Sequence, residues 1–174
     1  MDTELTLHEL TRLEAQRKLR ALPEALLETA WVREAQIEAV IDAVLTVAFS
    51  GDADALAHTR HTGEWCARIA AALPGAPDPS LARRVGVLSA IDADVLDRIA
   101  ELRHIARYSR EGQLKLIASV AREFDARISP DEFGRCTSPP IVLRAMLANA
   151  DDVARPIVAA LQATFHRARH ARVA

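Results

Sequence analysis

The stretch Leu114-Lys115-Leu116-Ile117-Ala118-Ser119-Val120-Ala121-Arg122-Glu123-Phe124-Asp125-Ala126-Arg127-Ile128 decides the fold class. Leu114, Ile117, Ala121, Phe124 and Ile128 recur at intervals of three and four, which puts them on one face of a helix and gives no strand-like alternation. Ser109 is a plausible N-cap for this helix, and Ser129-Pro130-Asp131 breaks it. Ser138-Pro139 then restarts a helix, because a proline in the first turn has no N–H to leave unsatisfied, and a last helix is expected near Pro156.

The same spacing continues upstream. Val95, Ile99 and Leu102 follow a cap at Asp92 or Asp94, and Leu81, Val85 and Leu88 follow Asp78-Pro79. Before the Pro74-Gly75-Ala76-Pro77 turn, a helix capped by Asp52 or Asp54 carries His58, His61, Trp65 and Ile69. A longer helix from Pro23 shows Leu27, Trp31, Ile37, Ile41, Val44 and Ala48 and stops at Gly51, and a first helix with Leu7, Leu10 and Leu13 ends near Leu22. Asn-Gly turns and period-two runs are absent from the sequence, so an all-α fold is expected. Residues 1–50 read as an N-terminal helical extension and residues 51–174 as the main helical domain.

With 174 residues, 50% of them apolar, the chain suits one folded domain with a real core. The 22 basic and 24 acidic residues are interspersed and leave a net charge of −2, so neither nucleic acid nor an anionic membrane is an expected partner. The basic C-terminal run Arg167, Arg169 and Arg172 reads as a solvated helix end. Cys66 and Cys136 make no disulfide framework, the start Met1-Asp2-Thr3-Glu4 lacks the pattern of a secretion signal, and no stretch has the apolar length of a membrane span. Together these features lead us to expect a cytoplasmic protein.

Three segments in order carry a resemblance to a known family. The first is His61-Thr62-Gly63-Glu64-Trp65-Cys66-Ala67-Arg68-Ile69-Ala70. The second is Leu81-Ala82-Arg83-Arg84-Val85-Gly86-Val87-Leu88-Ser89-Ala90-Ile91-Asp92. The third runs from Leu116 to Ala126 and is followed by Ser138-Pro139-Pro140 and Pro156-Ile157-Val158. From about Ala57 to Gln162 this order resembles the HD-GYP branch of the HD-domain, metal-dependent phosphohydrolase-like family. The resemblance implies a single multi-helix HD-like bundle, whose active members hydrolyse cyclic dinucleotides at a site of two or three metals.

The departures from the family pattern fall on its metal ligands. Ser89 and Ala90 stand where the family writes His-Asp, and Arg122 stands at a metal-binding aspartate. Tyr108, the sole tyrosine, is followed by Ser109-Arg110, so the Gly-Tyr-Pro is gone; His61 alone matches a ligand. Activating water at a metal needs imidazole nitrogens and carboxylate oxygens converging on the ion, which serine and alanine do not supply. A guanidinium, permanently charged, repels divalent cations. No metal, cofactor or catalytic residue is therefore expected, and the resemblance implies a remnant pocket of His61, Ser89, Asp92, Arg122 and Asp125.

Other candidates were weighed against ordinary structural roles. His58 and His61, three apart, could share a metal with His104 as a third ligand, but no carboxylate or cysteine stands at motif spacing. His166 and His170 lack the glutamate of a zincin helix, Cys66 falls on an apolar face, and Asp92, Asp94 and Asp97 suit capping and solvation. Arg122 and Asp125, three apart, are positioned to pair on one helix face. The expected function is a catalytically silent regulatory or protein-interaction module in signalling, with an unidentified protein partner, Trp31 or Trp65 as anchors if exposed, and a possible homodimer through the N-terminal helices. The alternatives are an altered-site phosphodiesterase or phosphohydrolase using His58, His61, His104 and Asp92, or a non-hydrolysing nucleotide sensor using Arg122 with Arg83, Arg84 and Lys115.

Overall fold

A computed structural model describes residues 34–110, 112–130 and 134–170, and every regular element among them is helical. In chain order they are α1 (Glu34–Ala48), α2 (Ala53–Ala72), α3 (Pro79–Leu88), α4 (Ala93–Asp97), a 3₁₀ turn (Ala100–Leu102), α5 (Arg103–Arg110), α6 (Gly112–Ile128), α7 (Pro139–Asn149) and α8 (Arg155–His170). The all-α expectation holds, and no described helix is long and apolar enough to cross a membrane. The expected first helix, Trp31, and the N-terminal helices expected to dimerise fall mostly on residues 1–33, outside the described residues.

Local chemistry accounts for most boundaries. Asp52 caps α2 by accepting from the Ala55 N–H at 2.9 Å, and Asp78 caps α3 by accepting from Leu81 at 3.0 Å, with Pro79 in the first turn. Asp92 caps α4 through the Asp94 N–H. Ser138 and Pro139 open α7 as expected.

Two boundaries differ from the reading of the sequence. Val95, Ile99 and Leu102 lie on three pieces of chain, because Ile99 is extended (ψ 109°) between α4 and the 3₁₀ turn. All three are nevertheless buried, which is why their spacing looked like one helix. Ser109 does not cap α6: its hydroxyl donates back to the Ile105 carbonyl inside α5, and α6 starts at Gly112, whose φ of +81° suits glycine.

The long helices α2 and α6 organise the bundle. α2 packs along α3 and also against α6 and α8, while α6 touches α3, α5, α7 and α8. Phe124, Ile69, Leu88, Leu102, Ile117 and Leu161 lie at the centre, fully buried. Ile37, Ile41, Val44 and Leu45 of α1 belong to the same apolar cluster, so α1 shares a core with the helices beyond residue 50.

The α2–α3 contact is close because two glycines face it. A Cβ on Gly63 would collide with Val87 and meet the Arg83 carbonyl oxygen at 3.0 Å. One on Gly86 would meet the Cys66 sulfur at 2.5 Å and the Gly63 Cα at 3.0 Å. On the outer side of this joint, Glu38 of α1 accepts from Arg83 and Arg84 at 2.8 Å each, and Arg83 also reaches Glu64 at 3.0 Å. Burial pushes the Glu38 carboxyl up, but hydrogen bonds from Arg84 and Arg83 outweigh it and hold the group below the usual carboxylate range.

Candidate functional site

The apolar stripe of α6 turns Arg122, Asp125 and Ser129 toward α2, where His58, Thr59 and Thr62 follow one another at helical spacing. Between the two helices, closed at one end by Ser89 and Ala90 after α3 and by Phe49 after α1, lies a cavity of about 300 Å³. This volume is at the small end of the range for ligand sites.

Asp125 is the most deeply placed charged group of the site, with 3% of its surface exposed. Its Oδ2 lies 2.8 Å from His58 Nδ1, and its Oδ1 accepts from the Trp65 indole N–H at 3.2 Å. A carboxylate only accepts, so this pairing places a proton on His58 Nδ1. Ser129 donates to the Asp125 carbonyl oxygen at 2.7 Å and stands 3.3 Å from the same imidazole nitrogen. Burying a carboxylate is tolerable when both oxygens have donors, as they do here. Trp65 is held in turn by the rings of Phe124 at 5.1 Å and Phe165 at 5.3 Å, with the Arg68 guanidinium 4.8 Å from its centroid.

Of the five residues expected in the pocket, Ser89, Arg122 and Asp125 line the cavity. Arg122 donates to the Ser89 carbonyl at 3.3 Å, which joins the second and third resemblance segments. The close contacts of the Asp125 carboxylate come from His58 and Trp65 on another helix, where the sequence suggested Arg122 one turn away. His61 stands at the rim: two thirds of its side chain is exposed and its Nδ1 is 4.0 Å from Asp125 Oδ1. Asp92 is not among the lining residues; its carboxylate caps α4.

The alternative ligand sets do not assemble. His104 lies exposed on α5, and among the described residues no group of three or more His, Cys, Asp or Glu side chains is placed to hold a metal ion. Arg83 and Arg84 are engaged with Glu38 and Glu64 in the seam between α1, α2 and α3, and Lys115 is exposed on α6; none of the three lines the cavity. Asp94 and Asp97 pair with Arg110 at the surface. Cys66 is fully buried, and desolvation pushes its thiol up to about 12, so it is chemically inert at neutral pH. The side chains of His166 and His170 lie outside the described ones.

The sequence reading sets His58 as a metal ligand against an ordinary surface or pocket histidine, and gives Thr59, Thr62 and Ser129 no place in a site. A signal was present: Ala55, His58, Thr59 and Thr62 occupy one face of α2, and three polar residues on an inward face call for partners or a cavity. Compared with protein-family models, curated proteins and solved structures, the chain matches none of them.

Proposed function

We propose that this chain is a catalytically silent, HD-GYP-like regulatory module of the cytoplasm, which works by binding and passes its state to a protein partner. The observation that supports this reading is the content of the cavity. At the positions that resemble the family's metal donors stand Ser89, Ala90 and Arg122, and the nearby carboxylate of Asp125 already accepts from His58 and Trp65. A guanidinium in the wall opposes a divalent cation and favours a ligand rich in acceptors.

Trp65 is not a docking anchor in this reading. It is half-buried between two phenylalanines and supports the site from behind. Among the described residues, Ile141 on α7 and Val153 before α8, both 62% exposed, are the most open of the large apolar side chains, ahead of Tyr108 and Leu116.

The test is metal analysis of the purified protein combined with an assay of cyclic-dinucleotide hydrolysis in added manganese or iron. Neither stoichiometric metal nor turnover is expected. Bound metal with turnover would replace this reading by an altered-site phosphohydrolase.

A further inference from the structure

The joint between α4 and α5 holds a group that packing leaves unsatisfied. Both carboxyl oxygens of Glu101, in the 3₁₀ turn, are shielded from solvent, and neither has a hydrogen-bond partner among the described residues. A carboxylate placed in this way has lost its hydration, and a neutral carboxyl group is equally short of partners, so the closed position is costly in either form. Asp125 shows the contrast, since donors meet both of its oxygens.

Little regular structure resists an opening at this joint. α4 is five residues long, Ile99 is extended, and the turn that follows has three residues. Pieces this short lack the cooperativity of long helices. Val95 and Leu96 donate their amides to the Asp92 carbonyl, Ile99 to that of Leu96 and Leu102 to that of Ile99, so these bonds stay within the stretch. On the outside, Arg110 of α5 clasps Asp94 and Asp97 of α4 at the solvated surface, and Arg103 reaches the Asp97 carbonyl.

We propose that residues 93–102 form a strap that opens locally while the rest of the bundle stays folded, putting the Glu101 carboxyl group into water and uncovering Leu96, Ile99 and Leu102. Two effects oppose each other: burial of these three side chains and of Val95 holds the strap closed, and the unpartnered carboxyl group favours release. Ser89 and Ala90, which line the cavity, lie just upstream with only Ile91 and Asp92 between, and Arg122 donates to the Ser89 carbonyl. The strap therefore begins beside the cavity wall and gives the module a second state that a partner can distinguish. This extends the binding-module reading, but the opening itself stands without it, so the two are tested separately.

The experiment is amide hydrogen exchange on the full-length protein, followed residue by residue. The amides of Val95, Leu96, Ile99 and Leu102 are expected to exchange together, about a hundredfold faster than those of Ala121 and Phe124 within α6. Glu101→Met removes the unpartnered oxygens while keeping the length and much of the helix preference of the side chain. It should slow these four amides about tenfold and leave α6 unchanged, and Glu101→Leu should act in the same direction. If one variant does not fold, the other decides. The proposal is overturned if the four amides are as protected as those of α6, if a folded variant exchanges as fast as the parent chain, or if neither variant folds, since the carboxyl group would then be holding the joint together.

Discussion

The two sides of α3 are held by opposite chemistry. Its inner side meets α2 and α6 through Gly63, Gly86, Cys66 and the buried rings behind them, whereas its outer side is tied to α1 and α2 by Glu38, Arg83, Arg84 and Glu64. The inner joint excludes water and depends on shape, so the loss or gain of single carbon atoms is felt there. The outer seam is solvated, and water replaces much of what any one ion pair contributes. The cavity lies beside the inner joint: Thr62, next to Gly63, and Ser89 and Ala90, just past the end of α3, line it.

The strongest way to break this contrast is Phe124→Ala. Phe124 is fully buried and touches both Trp65 and Phe165, and its truncation is expected to cost about 3–5 kcal/mol in urea unfolding, with loss of the near-ultraviolet signal from the aromatic cluster. A loss under about 1 kcal/mol would mean that the cluster is loosely packed.

Gly63→Ala comes next. Alanine favours the helix by about 1 kcal/mol, but the added methyl is driven into Val87 and the Arg83 carbonyl. The clash is expected to prevail and leave a net cost of about 1–2 kcal/mol, measured as a lower denaturation midpoint with unchanged slope.

The smallest effect is expected in the seam. Glu38→Gln should cost about 0.5–1 kcal/mol at neutral pH, because Glu38 and Arg83 keep about two fifths of their side-chain surface in water although Arg84 is only 13% exposed. The carboxyl of Glu38 is held below its ordinary value by its arginines, so its contribution is present above the unfolded pKa of about 4.3 and is lost as pH falls through the folded value. The parent and the Gln variant should therefore differ at pH 7 and converge in acid. A gap that widens in acid would reverse the assigned sign.

The helices were largely legible because their signals are local. Asp52, Asp78, Asp92 and Pro139 cap or open helices where their chemistry suggests, and the stripe from Leu114 to Ile128 is buried as its spacing implied. The reading failed where burial without helix mimics helical spacing, as at Ile99, and where a hydroxyl able to cap the next helix bonds back into the one before it, as at Ser109. Of the residues expected in a pocket, Ser89, Arg122 and Asp125 line the cavity, but the partner of Asp125 was not legible. Arg122 is three residues away and lies on the same helix, whereas His58 is 67 residues away and reaches it only through the α2–α6 packing. No spacing rule encodes a contact of that range.

Trp65 gives the protein a built-in optical sensor. Its indole N–H is bonded to the carboxylate that holds His58, and its ring stacks on Phe165 away from the cavity. Emission from this indole depends on the field around it, so an event at the imidazole is transmitted to a fluorophore through one shared aspartate. In a Trp31→Phe background Trp65 is the sole tryptophan, so a change in the field at Asp125 becomes readable as a change in colour or brightness of a single residue, with no label attached.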